Sequence, residues 1–225
     1  MHIIVGVPAY GERIHAGLAR ALMIMAVSLA KAGIAYGFQY CDSALLDRAR
    51  NKLVTTALRE KADWLLMIDA DTVPTDVGKL LAMIRDAGKA GASVVGAPVQ
   101  QRRRAGWNVR RAANPRDPMS DCFPMEDFDG QVKVVDRIGS AVLGINMSWL
   151  RSKWPIGPWF RSEYQERGDD PKAIGEDFYF CGQVCAHDGV IVADWRVPVA
   201  HFGATSETET IALLEASGSF RRPVN

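Results

Sequence analysis

One stretch, residues 64–74, constrains the fold of this chain more than any other. Its sequence is WLLMIDADTVP, and it begins with five consecutive apolar residues. Such a run predicts a strand that is buried on both faces, as in a parallel sheet covered by helices. The run stops at two carboxylates one residue apart, Asp69 and Asp71. Ligands in open α/β sheets bind beyond the carboxyl ends of the strands, so the pair lies where a ligand is expected.

The two carboxylates have two interpretations. Hard oxygen ligands at a strand end suit a divalent cation such as Mg²⁺ or Mn²⁺, which keeps several waters and is completed by substrate phosphates. Alternatively, the aspartates only cap a turn before a helix predicted to start at Thr75. A pattern this short recurs by chance, so the rest of the chain has to decide between the two.

Length and composition exclude several classes of protein. The chain has 225 residues, 48% hydrophobic and 24% charged, which is typical of a soluble globular protein with one large core. A net charge of +1 provides no global field for nucleic acid or membrane. The four cysteines show neither zinc spacing nor a disulfide framework. The longest apolar stretch is too short for a membrane span, and no signal peptide is indicated, so we expect a cytoplasmic protein.

Strand and helix patterns alternate in the first part of the chain and predict βαβ units. Strands are predicted at 2–7, 34–41, 64–68 and 92–97, and helices at 16–32, 43–60 (capped by Ser43) and 75–87. Residues 98–130 are predicted to be irregular. Further strands are predicted at 131–137, 140–147 and within 190–200, with helices at 149–154 and 176–188. A capping box at Ser206 and Glu209 predicts a last helix, to about Ala216.

Two further polar features follow in the second half of the chain. Glu176 and Asp177 lie in the first turn of a predicted helix, where acidic residues stabilise the helix dipole. His201 ends an apolar strand, a setting typical of a core histidine with satisfied hydrogen bonds. Each simple interpretation explains its own residues. Together with Asp69 and Asp71, however, the three features are difficult to explain as coincidence.

Six short motifs occur in a specific order: VGVPAY, the RN of ARNKL, IDAD, GSAVLGINMSWL, GEDFYFC and VAHFG. In this order and spacing, the chain resembles nucleotide-sugar-dependent glycosyltransferases of the GT-A type, close in layout to family 2, over residues 3–203. The resemblance implies a single α/β domain with a Rossmann-like fold and a mostly parallel central sheet flanked by helices. It implies a nucleotide-sugar half at 1–97, an acceptor and catalytic half at 98–203, and a C-terminal helix and tail at 204–225.

The resemblance also implies a role for each motif. Asp69 and Asp71 would hold Mn²⁺ or Mg²⁺ against the donor diphosphate, and His201 would be a further metal ligand. The nucleotide sugar, a UDP-sugar by family frequency, would contact residues at the ends of the first three strands and on the second helix: Pro8, Ala9, Tyr10, Asp42, Arg50, Asn51, Asp69 and Ala70.

The chemistry of sugar transfer agrees with these roles. A diphosphate leaving group requires charge stabilisation by a metal ion, and the attacking hydroxyl benefits from a carboxylate base. We assign Asp177 as that base and Glu176 to donor or acceptor hydroxyls, although the reverse assignment and retention of configuration both stay open. The acceptor, which can be a saccharide, a protein or a nucleic acid, is not identified by the sequence, nor is the oligomeric state.

An arginine cluster beside Trp107 has several interpretations; it consists of Arg102, Arg103, Arg104, Arg110, Arg111 and Arg116. It can be solvated surface, close over the diphosphate, or bind an anionic acceptor. Arginines beside an aromatic ring also suit nucleic acid, so a hydroxymethylated base is an alternative acceptor. Trp154, Trp159 and Phe160 are expected either to stack on a sugar or to pack beneath the site.

Two other functional classes compete with sugar transfer. A nucleotidyltransferase would carry a loop rich in Gly and Arg or Lys after the first strand, but PAYGERIH has one glycine and one arginine. A non-catalytic nucleotide-sugar-binding protein would be expected to lose a carboxylate from one of the two acidic pairs, and both are intact. We therefore predict a metal-dependent glycosyltransferase that acts on an acceptor hydroxyl.

Overall fold

A computed structural model describes residues 1–9, 11, 13–100, 106–165 and 172–202. Several predictions lie outside these described residues: the donor contact of Tyr10, the roles of Arg102, Arg103 and Arg104, and the C-terminal helix and tail from residue 204 onward.

The described residues form fourteen strands and five helices. The strands are β1 (His2–Ala9), β2 (Ala35–Asp42), β3 (Trp64–Ile68), β4 (Thr72–Pro74), β5 (Val94–Gly96), β6 (Val109–Ala112), β7 (Cys122–Pro124), β8 (Val132–Val135), β9 (Arg137–Ile138), β10 (Val142–Asn146), β11 (Glu163–Gln165), β12 (Lys172–Ile174), β13 (Ile191–Asp194) and β14 (Val199–His201). The helices are α1 (Ala16–Lys31), α2 (Leu46–Arg59), α3 (Val77–Lys89), α4 (Met147–Lys153) and α5 (Glu176–Ala186).

In the described chain, seven strands form the central sheet in the order β2-β1-β3-β10-β5-β13-β8. The pairs β2–β1, β1–β3 and β5–β13 are parallel, whereas β3–β10, β10–β5 and β13–β8 are antiparallel. The predicted α/β class is confirmed, but the sheet is mixed because β10 and β8 run against the other strands. β10 is as buried and apolar as a parallel strand, so its sequence pattern does not reveal its direction.

Two apolar clusters cover the two faces of this sheet. Helices α1 and α3 pack on one face, and α2, α4 and α5 pack on the other. β3 contributes to both clusters, with Leu65 and Met67 on the α2 side and Leu66 and Ile68 on the α1 side. The prediction that this strand is buried on both faces is confirmed.

The start of α2 differs from the sequence prediction. The N-cap is Leu45, and Ser43 instead accepts a hydrogen bond from the Leu45 N–H at 3.2 Å. Ser43 thus shapes the turn that precedes the helix, as serine hydroxyls often do.

The start of α3 also differs. It begins at Val77 rather than Thr75, because Asp76 caps it through the Lys79 N–H at 2.9 Å. Residues 72–74 form the short strand β4, and the segment predicted to be irregular contains β6 and β7. Within the described chain, no helix combines the length and apolar character needed to cross a membrane.

Gly144 provides a test of where β10 lies. A Cβ atom at this position would lie 2.5 Å from Cδ1 of Ile84 in α3 and 3.1 Å from Cγ1 of Val95 in β5. Because overpacking a core costs about 1–3 kcal/mol, we expect Gly144→Ala to lower the free energy of unfolding in urea by that amount. Ile84→Val removes the Cδ1 methyl and should restore part of the loss in a double-mutant cycle. Strictly additive effects would contradict this packing of β10 against α3.

Candidate active site

Three motifs that are distant in sequence meet at the carboxyl end of β3. The turn after β3 is held by two backbone hydrogen bonds: Asp69 N–H to the Ala141 carbonyl and Thr72 N–H to the Asp69 carbonyl, both 2.9 Å. β14 pairs antiparallel with β4 and places His201 opposite Thr72. The acidic start of α5 reaches the same place through a side-chain contact with α2.

Arg50 of α2 makes that contact. Its side chain is 1% exposed, and its Nη2 donates to both carboxylate oxygens of Asp69, at 2.9 and 3.2 Å. Its Nε donates to Oε1 of Glu176 at 3.4 Å, and its Nη1 donates to the Ser140 carbonyl at 3.3 Å. The guanidinium lies 5.9 Å from the ring centroid of Phe160. One buried cation therefore joins the first acidic pair to the second.

Two carboxyl groups near Arg50, those of Asp69 and Asp177, have raised pKa values. Burial raises the pKa of Asp69 above its ordinary value even though Arg50 opposes the change. Burial, and then the negative charge of Glu176, raise the pKa of Asp177 to about 6. Burial alone would lower the pKa of Arg50, but the charges of Asp69 and Glu176 raise it. The site thus keeps Arg50 charged beside carboxyl groups whose pKa values are raised.

Asp71 and His201 form a second, more open part of the site. The distance from Asp71 Oδ1 to His201 Nε2 is 3.6 Å, and the two side chains are 39% and 20% exposed. Among the described residues, no group of three His, Cys, Asp or Glu side chains is arranged to hold a metal ion. Both oxygens of Asp69 accept from Arg50, and the role of Asp69 as a third ligand stays a prediction. Asp71 and His201 do fit an ion whose other positions are filled by water and phosphate.

The predicted donor-binding residues of the first two strands lie at the same edge of the sheet. Pro8 and Ala9, at the end of β1, pair with Cys41 and Asp42 at the end of β2. Oδ1 of Asp42 accepts from the Gly11 N–H at 3.1 Å. Because β1 is parallel to β3, these residues and Ala70 all lie at the carboxyl end of the sheet. Their contact with a donor stays a prediction.

Asn51 has a role that sequence reasoning did not identify. Its Oδ1 accepts from the backbone N–H groups of Trp159 and Phe160 at 2.8 and 3.1 Å, and its Nδ2 donates to the Phe160 carbonyl at 2.7 Å. Asn51 therefore anchors the segment that places Phe160 beside Arg50. The partner lies 108 or 109 residues away, so no local pattern signals it. A contact of Asn51 with the donor stays a prediction.

The aromatic residues near the site have a structural role. Trp154, Trp159 and Phe160 are all buried, which confirms the packing interpretation. Trp154 and Phe160 both stack on Phe180 of α5, with centroids 5.9 and 4.4 Å apart. These rings support α5 from below and so fix the position of the carboxylates at its start.

The described arginines of the predicted cluster each bind groups of the protein. Arg110 donates to the carbonyl oxygens of Trp107 and Val109. Arg111 lies 3.7 Å from Asp136, and Arg116 lies 2.6 Å from Asp188. Arg111 and Arg116 are themselves exposed, which matches the solvated-surface interpretation for these two residues.

Comparison with known proteins establishes the fold alone. No protein-family model and no curated protein matches the chain. Among solved structures, A197 from STIV matches 90% of this chain over 86% of its own, with a TM-score of 0.60 and 20% identity. The chain therefore shares the fold of A197.

Two glycosyltransferases also match, more distantly. One is involved in glycosylation of the major capsid of PBCV-1 and matches 66% of this chain over 63% of its own, at 9% identity and a TM-score of 0.37. The other is a mutant Drosophila β1,4-galactosyltransferase 7 in complex with manganese, UDP-Gal and xylobiose. It matches 93% of this chain over 74% of its own, at 11% identity and a TM-score of 0.41. TM-scores this low carry no argument about function.

Substitution of Arg50 tests the buried ionic contact. We expect Arg50→Met to lower the free energy of unfolding at pH 8 by about 3–5 kcal/mol, because Asp69 and Glu176 lose their buried partner. A carboxyl group with a raised pKa in the folded state binds its proton more tightly there than in the unfolded chain. Removing Arg50 leaves the effect of burial on Asp69 unopposed, so the variant loses stability as the pH rises through the raised pKa of Asp69. The destabilisation caused by Arg50→Met should therefore be smaller at pH 5 than at pH 8.

Urea unfolding at both pH values measures this effect. The matched control is Arg59→Met on the same helix, because the side chain of Arg59 is 72% exposed and its Nη2 lies 3.4 Å from Oε1 of Glu60. We expect a change of at most about 1 kcal/mol for this control. Equal losses for the two variants would show that Arg50 does not join the carboxylates.

Proposed function

We propose that this chain is a metal-dependent glycosyltransferase with the GT-A form of the Rossmann-like fold, transferring a sugar from a nucleotide diphosphate donor, preferably a UDP-sugar, to an acceptor hydroxyl. One observation carries the proposal: Asp69 and Asp71, the start of α5 and His201 meet at one edge of the sheet. This is the edge at which ligands bind in open α/β sheets.

The donor would bind between the ends of β1, β2 and β3. Asp71 and His201 would hold Mn²⁺ or Mg²⁺, and the ion would stabilise the charge of the departing diphosphate. Pro8, Ala9 and Tyr10 would face the nucleoside, with Asp42, Arg50 and Asn51 nearby, and Asp69 and Ala70 would lie on the side of the diphosphate. Residues 1–97 would thus supply the donor half of the domain and residues 98–203 the acceptor half.

Asp177 would accept the proton of the attacking hydroxyl. A pKa of about 6 suits this role, because the group is mostly ionised at neutral pH yet basic enough to take a proton. Its Oδ1 accepts from the Phe178 N–H at 2.7 Å, which fixes the carboxylate at the start of α5. Glu176, held by Arg50, would bind hydroxyl groups of the donor or acceptor.

The raised pKa of Asp177 favours catalysis over mere binding. Strongly perturbed carboxyl groups cluster at catalytic sites, and Asp177 also lies beside Glu176 at the start of α5. A nucleic-acid acceptor receives less support, since the described arginines Arg111 and Arg116 already lie beside carboxylates.

A thermal-shift panel of UDP, GDP, CDP and ADP, each with Mn²⁺ or EDTA, tests the donor site. We expect a Mn²⁺-dependent rise in Tm for one nucleotide. At a nucleotide concentration of about 100 Kd, binding adds about 2.7 kcal/mol, or roughly 5–10 °C for a chain of this length. No shift with any nucleotide would contradict the proposal.

Variants locate the binding within the site. Asp71→Asn and His201→Ala should lose the Mn²⁺-dependent shift, because each removes an ion ligand. Asp63→Asn is the matched control, since Asp63 directly precedes β3 and accepts from the His2 N–H at the opposite end of the strand. It should keep the shift.

Asp177→Asn tests the base. We expect the variant to keep Mn²⁺-dependent nucleotide binding but to lose at least about 10²-fold in turnover, followed as release of nucleoside diphosphate from the sugar nucleotide. Turnover of the unsubstituted protein should rise as the pH passes through about 6, because only the ionised carboxylate can accept a proton.

Asp47→Asn is the matched control for this variant. Asp47 is also the second residue of its helix and accepts from the next N–H at 2.7 Å. It should keep full turnover. Normal turnover by Asp177→Asn would show that another group is the base.

A further inference from the structure

His15 makes contacts on two sides of the turn that contains Asp71. Its backbone N–H donates to the Ala70 carbonyl at 2.7 Å, between the two aspartates. Its imidazole ring stacks on Phe202, with centroids 4.1 Å apart and an interplanar angle of 8°. The Phe202 N–H in turn donates to the Asp71 carbonyl at 2.7 Å.

His15 is thus linked to Asp71 in two ways. Its backbone binds the neighbouring residue Ala70, and its ring stacks on Phe202, which binds the Asp71 carbonyl. His201 immediately precedes Phe202, and its Nε2 lies 3.6 Å from Asp71 Oδ1. The position of His201 relative to Asp71 therefore depends on how β14 is held. β14 has only three residues, so its pairing with β4 is short.

The geometry points to His15 as a positioning residue for the proposed cation site. Its ring holds Phe202, and hence β14, at the separation that lets Asp71 and His201 bind one divalent cation. This role rests on the proposed function and adds a residue outside the set implied by the resemblance. Groups that orient metal ligands without touching the ion typically contribute 10–100-fold to metal affinity.

The ring of His15 also caps α1, and this role has to be distinguished experimentally from its stack on Phe202. His15 is the N-cap of α1, and its Nδ1 accepts from the Gly17 N–H at 3.1 Å. A side chain at Gly17 would meet this nitrogen at 3.0 Å, so the ring lies close against the start of the helix. A purely structural role would work through this cap, whereas positioning works through the stack on Phe202.

Three substitutions distinguish these roles. His15→Ala removes both the cap and the stack. His15→Asn keeps a good N-cap acceptor without an aromatic ring. His15→Phe keeps a ring that can stack but has no acceptor for the Gly17 N–H. The backbone contact with Ala70 is available to all three variants.

The first measurement is Mn²⁺ affinity in the presence of UDP, followed by the electron paramagnetic resonance of free Mn²⁺. We expect His15→Ala and His15→Asn to weaken Mn²⁺ binding by about 10-fold or more, and His15→Phe to bind close to the unsubstituted protein. Unchanged affinity in His15→Ala, or rescue by His15→Asn but not by His15→Phe, would overturn the positioning role.

The second measurement needs neither metal nor nucleotide. Hydrogen exchange of the Phe202 amide, followed by NMR, should be faster in His15→Ala and His15→Asn than in His15→Phe. The Thr75 amide, which donates to the Pro198 carbonyl at 3.0 Å beyond the other end of the β4–β14 pair, is the internal control and should not change. Equal Phe202 protection in all variants would overturn the coupling. If the unsubstituted protein binds no Mn²⁺, the proposed function fails, while the exchange experiment still decides whether His15 holds β14.

Discussion

The buried guanidinium of Arg50 is the interaction on which the site depends. It is 1% exposed and contacts carboxylates from two motifs that are more than a hundred residues apart. A charge this deep is tolerated only with close, well-directed partners. Asp69, Glu176 and the Ser140 carbonyl are these partners, and each is thereby fixed relative to the others. Negative charges outnumber the single positive charge of Arg50, because Asp71 and Asp177 also lie near Asp69 and Glu176. Burial is the main cause of the raised pKa values of Asp69 and Asp177, and the negative charge of Glu176 raises the pKa of Asp177 further.

The antiparallel strand β10 explains how the two parts of the chain meet at Arg50. Because β10 lies between β3 and β5 and runs against both, the residues that precede it lie beside the carboxyl end of β3. The Ala141 carbonyl accepts from the Asp69 N–H there, and the Ser140 carbonyl accepts from Arg50. A parallel β10 would place these carbonyls at the opposite edge of the sheet. The mixed sheet is thus a condition for the site.

Local patterns predicted those parts of the structure whose determinants are local. Residues 64–68 form the predicted buried strand, and helices α1, α2 and α5 lie close to their predicted places. Capping was predicted less well, since Ser43 and Asp76 both have side chains that suit an N-cap and only the folded turn selects between neighbouring candidates. Contacts between residues that are distant in sequence, such as those of Asn51 and His15, leave no periodicity to detect. The direction of β10 was hidden for a similar reason, because burial on both faces removes the alternation that marks many antiparallel strands.

The two aspartates after β3 show why a short motif needs its fold to be interpreted. Asp69 is bound on both oxygens by Arg50, whereas Asp71 lies nearer the surface beside His201. Residues 69–71 form the turn between β3 and β4, and this turn directs the two side chains to different surroundings, whereas residues two apart within a strand would share a face. Asp69 pairs with the buried guanidinium of Arg50, whereas Asp71 is 39% exposed and accessible to a cation from solution. A turn cap would require neither a buried arginine behind the motif nor a histidine in front of it. The surroundings of the pair therefore support the proposed cation site at Asp71, while Asp69 pairs with Arg50 inside the protein.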